Sequence, residues 1–124
     1  MPRKKQQTYE ASEHGIQSAY FDWVRRMSEI DNRYKRIFAI TNEARESDSA
    51  RLYHWREGKK AGVWDVFIAV ARECSGGAFI EFKTSVGKLS ESQKAWRELV
   101  QAEYATEVCR TTEQAIQFTR NYLK

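Results

Sequence analysis

Proline is almost missing from this 124-residue chain: Pro2 is the single one, accompanied by six glycines and two cysteines. With no later proline and no Gly/Ser-rich or low-complexity stretch, nothing marks a linker, and the length suits one compact domain. Cys74 and Cys109 stand far apart and outside any Cys-x-x-Cys pattern. That argues against a disulfide framework or structural zinc and for reduced thiols. Long apolar runs and a signal-peptide pattern are lacking too, so a soluble, intracellular protein with no membrane partner is expected. The absence of a Gly-x-Ser-x-Gly elbow and of a phosphate-cradling glycine loop argues against acyl transfer and nucleotide hydrolysis. His14 and His54 have no partners at metal-ligand spacing. No internal repeat is present.

What the chain has in quantity is aromatic and charged side chains: four Trp, six Tyr and six Phe, with 31% Asp, Glu, Lys and Arg. This is a globular composition with a well-solvated surface. A net charge of +4 and a pI near 9.1 favour polyanionic partners such as nucleic acid without establishing them.

Periodicity gives the elements. Residues 1–11 read as a basic flexible arm with Arg3, Lys4 and Lys5, and 12–124 as the single domain. From Ser12 to Glu29 an amphipathic helix places Ile16, Tyr20, Trp23, Val24 and Met27 inward, with Ser12 as its cap. Arg36 to Ile40 suits a buried strand. Ser47 or Asp48 caps a short helix through Glu57 that buries Leu52 and Trp55. Val63 to Ala71 and Ala78 to Thr84 flank the turn signal Ser75-Gly76-Gly77 and make an antiparallel hairpin. Ser90 opens a helix through a capping box with Gln93, burying Ala95, Trp96, Leu99 and Val100. A strand from Tyr104 to Cys109 and a helix from Thr112 to Leu123, with Ala115, Ile116, Thr119 and Leu123 inward, complete a mixed α/β fold.

Chemistry concentrates on the hairpin. Strand side chains alternate faces, so Glu81 and Lys83 project together while Ile80 and Phe82 point to the other side. Asp65, near the start of the preceding strand, falls within cross-strand reach of them. Two carboxylates in a half-buried sheet repel unless a cation sits between them or one is protonated. Magnesium fits such a pair, because it uses one or two carboxylates and keeps several waters. Read alone, Glu81-x-Lys83 is equally a surface ion pair, Glu13 and Gln17 are a solvated i, i+4 pair, and Gln93 is a capping residue.

Taken in order, Ser12-Glu13-His14 with Gln17, Gly58-Lys59-Lys60-Ala61-Gly62-Val63-Trp64-Asp65, Ile80-Glu81-Phe82-Lys83-Thr84, and Gly87-Lys88-Leu89-Ser90 with Gln93 and Trp96 resemble the stand-alone VRR-NUC (virus-type replication-repair nuclease) domain, a branch of the PD-(D/E)xK nucleases. The resemblance spans roughly Ser12 to Leu123. It implies a restriction-endonuclease-like core in αβββαβ order, helices flanking a mixed sheet, and Mg2+ or Mn2+ held by Asp65, Glu81 and the Phe82 backbone carbonyl. Lys83 is then the catalytic lysine, Glu13 joins from the first helix, in part through water, and Gln93 and Gln17 lie beside the site. Trp64 departs from the proline in the superfamily name, which puts backbone geometry rather than chemistry at issue.

Similar family members include phage and bacterial domains resembling Holliday-junction resolvases and the nuclease domain of the Fanconi-anaemia-associated nuclease. The resemblance implies an endonuclease acting on branched DNA in repair, as a homodimer whose two-fold axis matches a four-way junction. Lys59, Lys60, Lys88 and Lys94 are the expected phosphate contacts, and readout falls on shape and backbone because no basic recognition helix is present. Tyr20 and Trp64 are candidate exposed aromatics for the dimer surface. The alternatives are a less selective or restriction-type nuclease, and an inactive nucleic-acid-binding module of the same fold.

Overall fold

Apolar side chains three and four residues apart give the first helix a single buried stripe. In this computed structural model, which describes residues 11–41 and 47–124, the expected basic arm lies, but for Ala11, outside the described residues. Helix α1 (Glu13–Ser28) is capped by Ser12, whose hydroxyl accepts the Gly15 N–H, and it buries Ile16, Tyr20, Trp23 and Val24. A 3-10 helix over Asn32–Arg36, not foreseen from sequence, turns the chain into strand β1 (Ile37–Ala39). Helix α2 (Asp48–Arg56), strands β2 (Val66–Ile68) and β3 (Ala78–Phe82), helix α3 (Glu91–Val100), strand β4 (Ala105–Cys109) and helix α4 (Thr112–Tyr122) follow.

The sheet runs β1-β2-β3-β4, antiparallel except for the parallel β3–β4 pair. Strand alternation sends Ile37, Val66, Ile68, Ala78, Ile80 and Phe82 to one face, where they pack with α1 and α4 in the main core. Tyr20 is wholly buried there, its hydroxyl bonded to Thr119 at 2.8 Å. Phe38, Phe67 and Phe79 line the other face, and Trp96 of α3 meets the Phe79 ring edge-on at 5.4 Å. Among the described residues no helix is long and apolar enough to cross a membrane.

Four expectations are corrected. The strand expected over 63–71 is regular only over Val66–Ile68, with single backbone bonds from Ile40 to Asp65 and from Ala69 to Arg36 beyond it; upstream, Gly62 and Trp64 turn aside to pack against α3. Leu52 and Trp55 are not buried: they are 59% and 70% exposed, and of α2 only Ala50 and His54 are even half-covered. Helix α3 likewise leaves Ala95 and Leu99 outside and tucks in Gln93, Trp96, Arg97 and Val100. Tyr20 and Trp64 are each 0% exposed, which removes both from any dimer surface.

Candidate active site

The site begins where the β2–β3 ladder ends. Val66 stands opposite Ile80, so by register Asp65 falls opposite Glu81 and Trp64 opposite Phe82. At that point the strands part. The Asp65 carbonyl accepts the Ile40 N–H of the β1 side at 2.7 Å, while its carboxylate Oδ2 accepts the Phe82 N–H at 2.8 Å. A side chain thus replaces the backbone partner that Phe82 would otherwise have, and the Asp65 carboxylate is fixed beside Glu81. Within a strand residue the carbonyl points the same way as its N–H, so the Phe82 carbonyl faces this opening as well.

Glu81 is 2% exposed. Its Oε1 accepts the Gln93 Nε2–H at 2.5 Å, but its Oε2 is buried with no hydrogen-bond partner. Burial first, and the adjoining Asp65 carboxylate second, push the Glu81 carboxyl up from 4.5 to about 9, against an opposing pull from Lys83. A buried acceptor left without a donor and placed beside a second carboxylate is the donor set a hard divalent cation relieves. Among the described residues no group of three or more His, Cys, Asp or Glu side chains converges. Two carboxylates, with water and substrate oxygens for the remaining positions, match the magnesium pattern rather than a protein-only cage.

Lys83 continues β3 in register, its N–H donating to the Cys109 carbonyl at 3.1 Å, and shares the Glu81 face. Its side chain is 13% exposed and its Nζ lies 3.8 Å from Glu13 Oε1, so the first turn of α1 does reach the hairpin. Gln93 serves two purposes at once: its Oε1 closes the capping box on the Ser90 N–H at 2.9 Å, and its Nε2 holds Glu81. Asp65, Glu81 and Gln93 therefore meet at the end of the hairpin, and Glu13 is linked to them through Lys83. Gln17 lies one helical turn on from Glu13, half-buried in a cleft of about 860 Å³ between α1 and β1 that His14 and Phe38 also line. Lys59, Lys60 and Lys88 are exposed in the loops, whereas Lys94 is drawn 3.3 Å from Glu91 on its own helix.

Sequence reasoning missed the supports. Trp64 is a wholly buried anchor whose Nε1 donates to the Gln93 carbonyl at 3.0 Å, with the Arg97 guanidinium 5.6 Å from its ring centre. Gly62, at φ +88°, lets this loop pass so close to α3 that a Cβ would sit 2.4 Å from the Ser92 carbonyl oxygen. Arg110, just beyond β4, donates from one nitrogen to the Thr84 and Gly87 carbonyls at 2.6 and 2.7 Å, closing the loop that follows Lys83.

The family model of the VRR-NUC domain matches residues 3–113. A solved structure described as a "VRR_NUC domain protein" superposes with a TM-score of 0.73 at 22% identity, covering 93% of this chain and 90% of that one. No curated protein matches the chain. The chain belongs to the VRR-NUC domain family, nucleases of the PD-(D/E)xK type.

Proposed function

We propose that this protein is a divalent-metal-dependent, structure-selective DNA endonuclease that hydrolyses phosphodiester bonds at branched DNA such as four-way junctions, working as a homodimer inside the cell. The observation that carries the reading is the Asp65–Glu81 pair, with the buried, partnerless Glu81 Oε2 and Lys83 two residues further along the same strand.

Asp65, Glu81 and the Phe82 carbonyl would hold Mg2+ or Mn2+, and Glu13, ion-paired with Lys83, would join through water. When bound, the ion supplies charge neutralisation at the scissile phosphate and a more acidic water. The residues do the positioning. Phe82 N–H fixes one oxygen of Asp65 and Gln93 fixes one oxygen of Glu81, which leaves the buried Glu81 Oε2 for the pocket. Lys83, mostly shielded from water, holds its ammonium where it orients the attacking water and offsets charge on the phosphate. Glu13 in turn restrains that ammonium. Lys59, Lys60, Lys88 and Lys94 contact flanking phosphates, which carry no base information, so selectivity comes from DNA shape. A two-fold pair of such sites matches the two strands cut in a symmetric junction.

The test is cleavage of a labelled four-way junction, a flap and a linear duplex with magnesium, manganese or chelator. Wild type should cut the junction in either metal and not in chelator. Asp65→Asn and Lys83→Met should still bind the junction while cleavage drops by at least about a hundredfold, in keeping with loss of a transition-state contact. Unchanged cutting by either variant would overturn the assignment.

A further inference from the structure

Helix α2 is the least covered of the described α-helices. None of its nine residues is buried, and of its side chains only Ala50 and His54 are even half-covered. A helix this short is marginal in water on its own. Both its ends are capped: Ser47 accepts the Ala50 N–H, and Gly58 at φ +89° closes the far end, with Gly58 N–H donating to the Trp55 carbonyl and Lys59 N–H to the His54 carbonyl. What this held helix presents outward is Leu52 and Trp55, three apart on one side, 59% and 70% exposed, with Arg51 and Arg56 beside them.

We propose that this face of α2 is a DNA-contacting surface, Trp55 and Leu52 seating against nucleobases exposed where the duplex stack is interrupted. The inference rests on the nuclease reading above and deepens it, assigning the means by which branched DNA is told from plain duplex. Charge selects the occupant. Residues 47–60 carry Arg51, Arg56, Lys59 and Lys60 against Asp48 and Glu57. A second copy docked through the same face would bring those cations onto themselves, whereas a polyanion meets them favourably. Continuity supports it too, because α2 runs through the Gly58–Gly62 turn directly into Asp65. An indole offers a stacking platform to any base and an apolar side chain a wedge at an opened step, so contact of this kind selects shape without selecting sequence.

The experiment uses the full chain in chelator, so that nothing is cut, with a fluorescein-labelled four-way junction and a linear duplex of the same composition. Binding is followed by anisotropy, and 2-aminopurine at the branch reports stacking. Trp55→Ala should weaken junction binding about tenfold, as expected for loss of one stacked base, and lower the junction-to-duplex preference by nearly as much. Trp55→Phe should retain most of that preference, and the 2-aminopurine response should vanish only in Trp55→Ala. Trp55 is solvent-exposed, so circular dichroism should show the variants folded. Junction affinity within twofold of wild type in Trp55→Ala, or no junction preference in the wild type, overturns the proposal. So does an unchanged preference accompanied by a dimer-to-monomer shift in sedimentation, which would make the face a contact between copies. Wild type that cuts no DNA with magnesium or manganese sinks the nuclease reading itself; wild type that cuts, alongside a Trp55→Ala protein that binds and discriminates as well, sinks this inference alone.

Discussion

Replacing Glu81 by Gln should make the metal-free protein more stable at neutral pH while abolishing its cleavage. The Glu81 carboxyl is raised from 4.5 to about 9 in the fold. A carboxyl held above its unfolded value contributes stability that is complete below about 4.5 and is lost as pH climbs toward 9. One pH step costs about 1.4 kcal/mol, so by pH 7 on the order of 3 kcal/mol is gone, equivalent to about 10 °C in melting temperature for a domain of this size. The amide keeps the useful contact, because its oxygen still accepts from Gln93 where Oε1 does now, and its nitrogen places a donor toward Asp65. The assay is thermal melting of wild type and Glu81→Gln from pH 5 to 9, with chelator and again with magnesium. In chelator the wild-type midpoint should fall with pH and the variant should change less, crossing above it by pH 7. Magnesium should raise the wild type at pH 8, do little at pH 5, and do little to the variant. A variant that melts below wild type at pH 8 in chelator would refute the argument that Glu81 is held in a frustrated position.

The supports of the site give two further expectations. Gly62→Ala should cost about 2 to 4 kcal/mol, combining a left-handed backbone with a clash against the backbone of Ser92, and denaturant melts should show it. Since that clash pushes on the turn bearing Gln93, cleavage should drop even below the unfolding temperature. Trp64→Phe removes the indole donor from the Gln93 carbonyl and should cost about 1 to 2 kcal/mol, with turnover reduced and junction affinity kept; equal turnover would show that α3 needs no such tie.

Legibility followed the distance over which each feature is encoded. Ile16, Tyr20, Trp23 and Val24 declare α1 by their spacing, and Ala115, Thr119 and Leu123 do the same for α4, because burial of one helical face is written in the helix itself. The β2–β3 hairpin was legible for the same local reason, and with it the approach of Asp65 to Glu81. Trp64 and Arg110 carried no such signal: their partners lie 29 and 26 residues away, and nothing in either neighbourhood names them. The pattern of α2 misled in the opposite direction. Leu52 and Trp55 occupy helical spacing, but periodicity states only that a face is apolar, and whether the chain itself covers it depends on where neighbouring elements fall.

The site owes its existence to an interruption in the sheet that the strand pattern itself conceals. Continued pairing from Val66 onward would have set Trp64 against Phe82 through backbone bonds and left Asp65 and Glu81 as a repelling cross-strand pair. Instead Gly62 and Trp64 lean onto α3, and while the Asp65 carbonyl keeps its rung to Ile40 on the β1 side, its carboxylate takes the Phe82 N–H. The same departure that opens the strands also brings α3 into place, since Trp64 holds the Gln93 carbonyl while the Gln93 side chain holds Glu81. Opening and bracing are therefore one event. A tryptophan at position 64, where the superfamily name expects proline, accounts for this without any special φ: a large ring buried against α3 draws the chain out of the ladder, and its N–H adds a tie that proline has no side-chain donor to make.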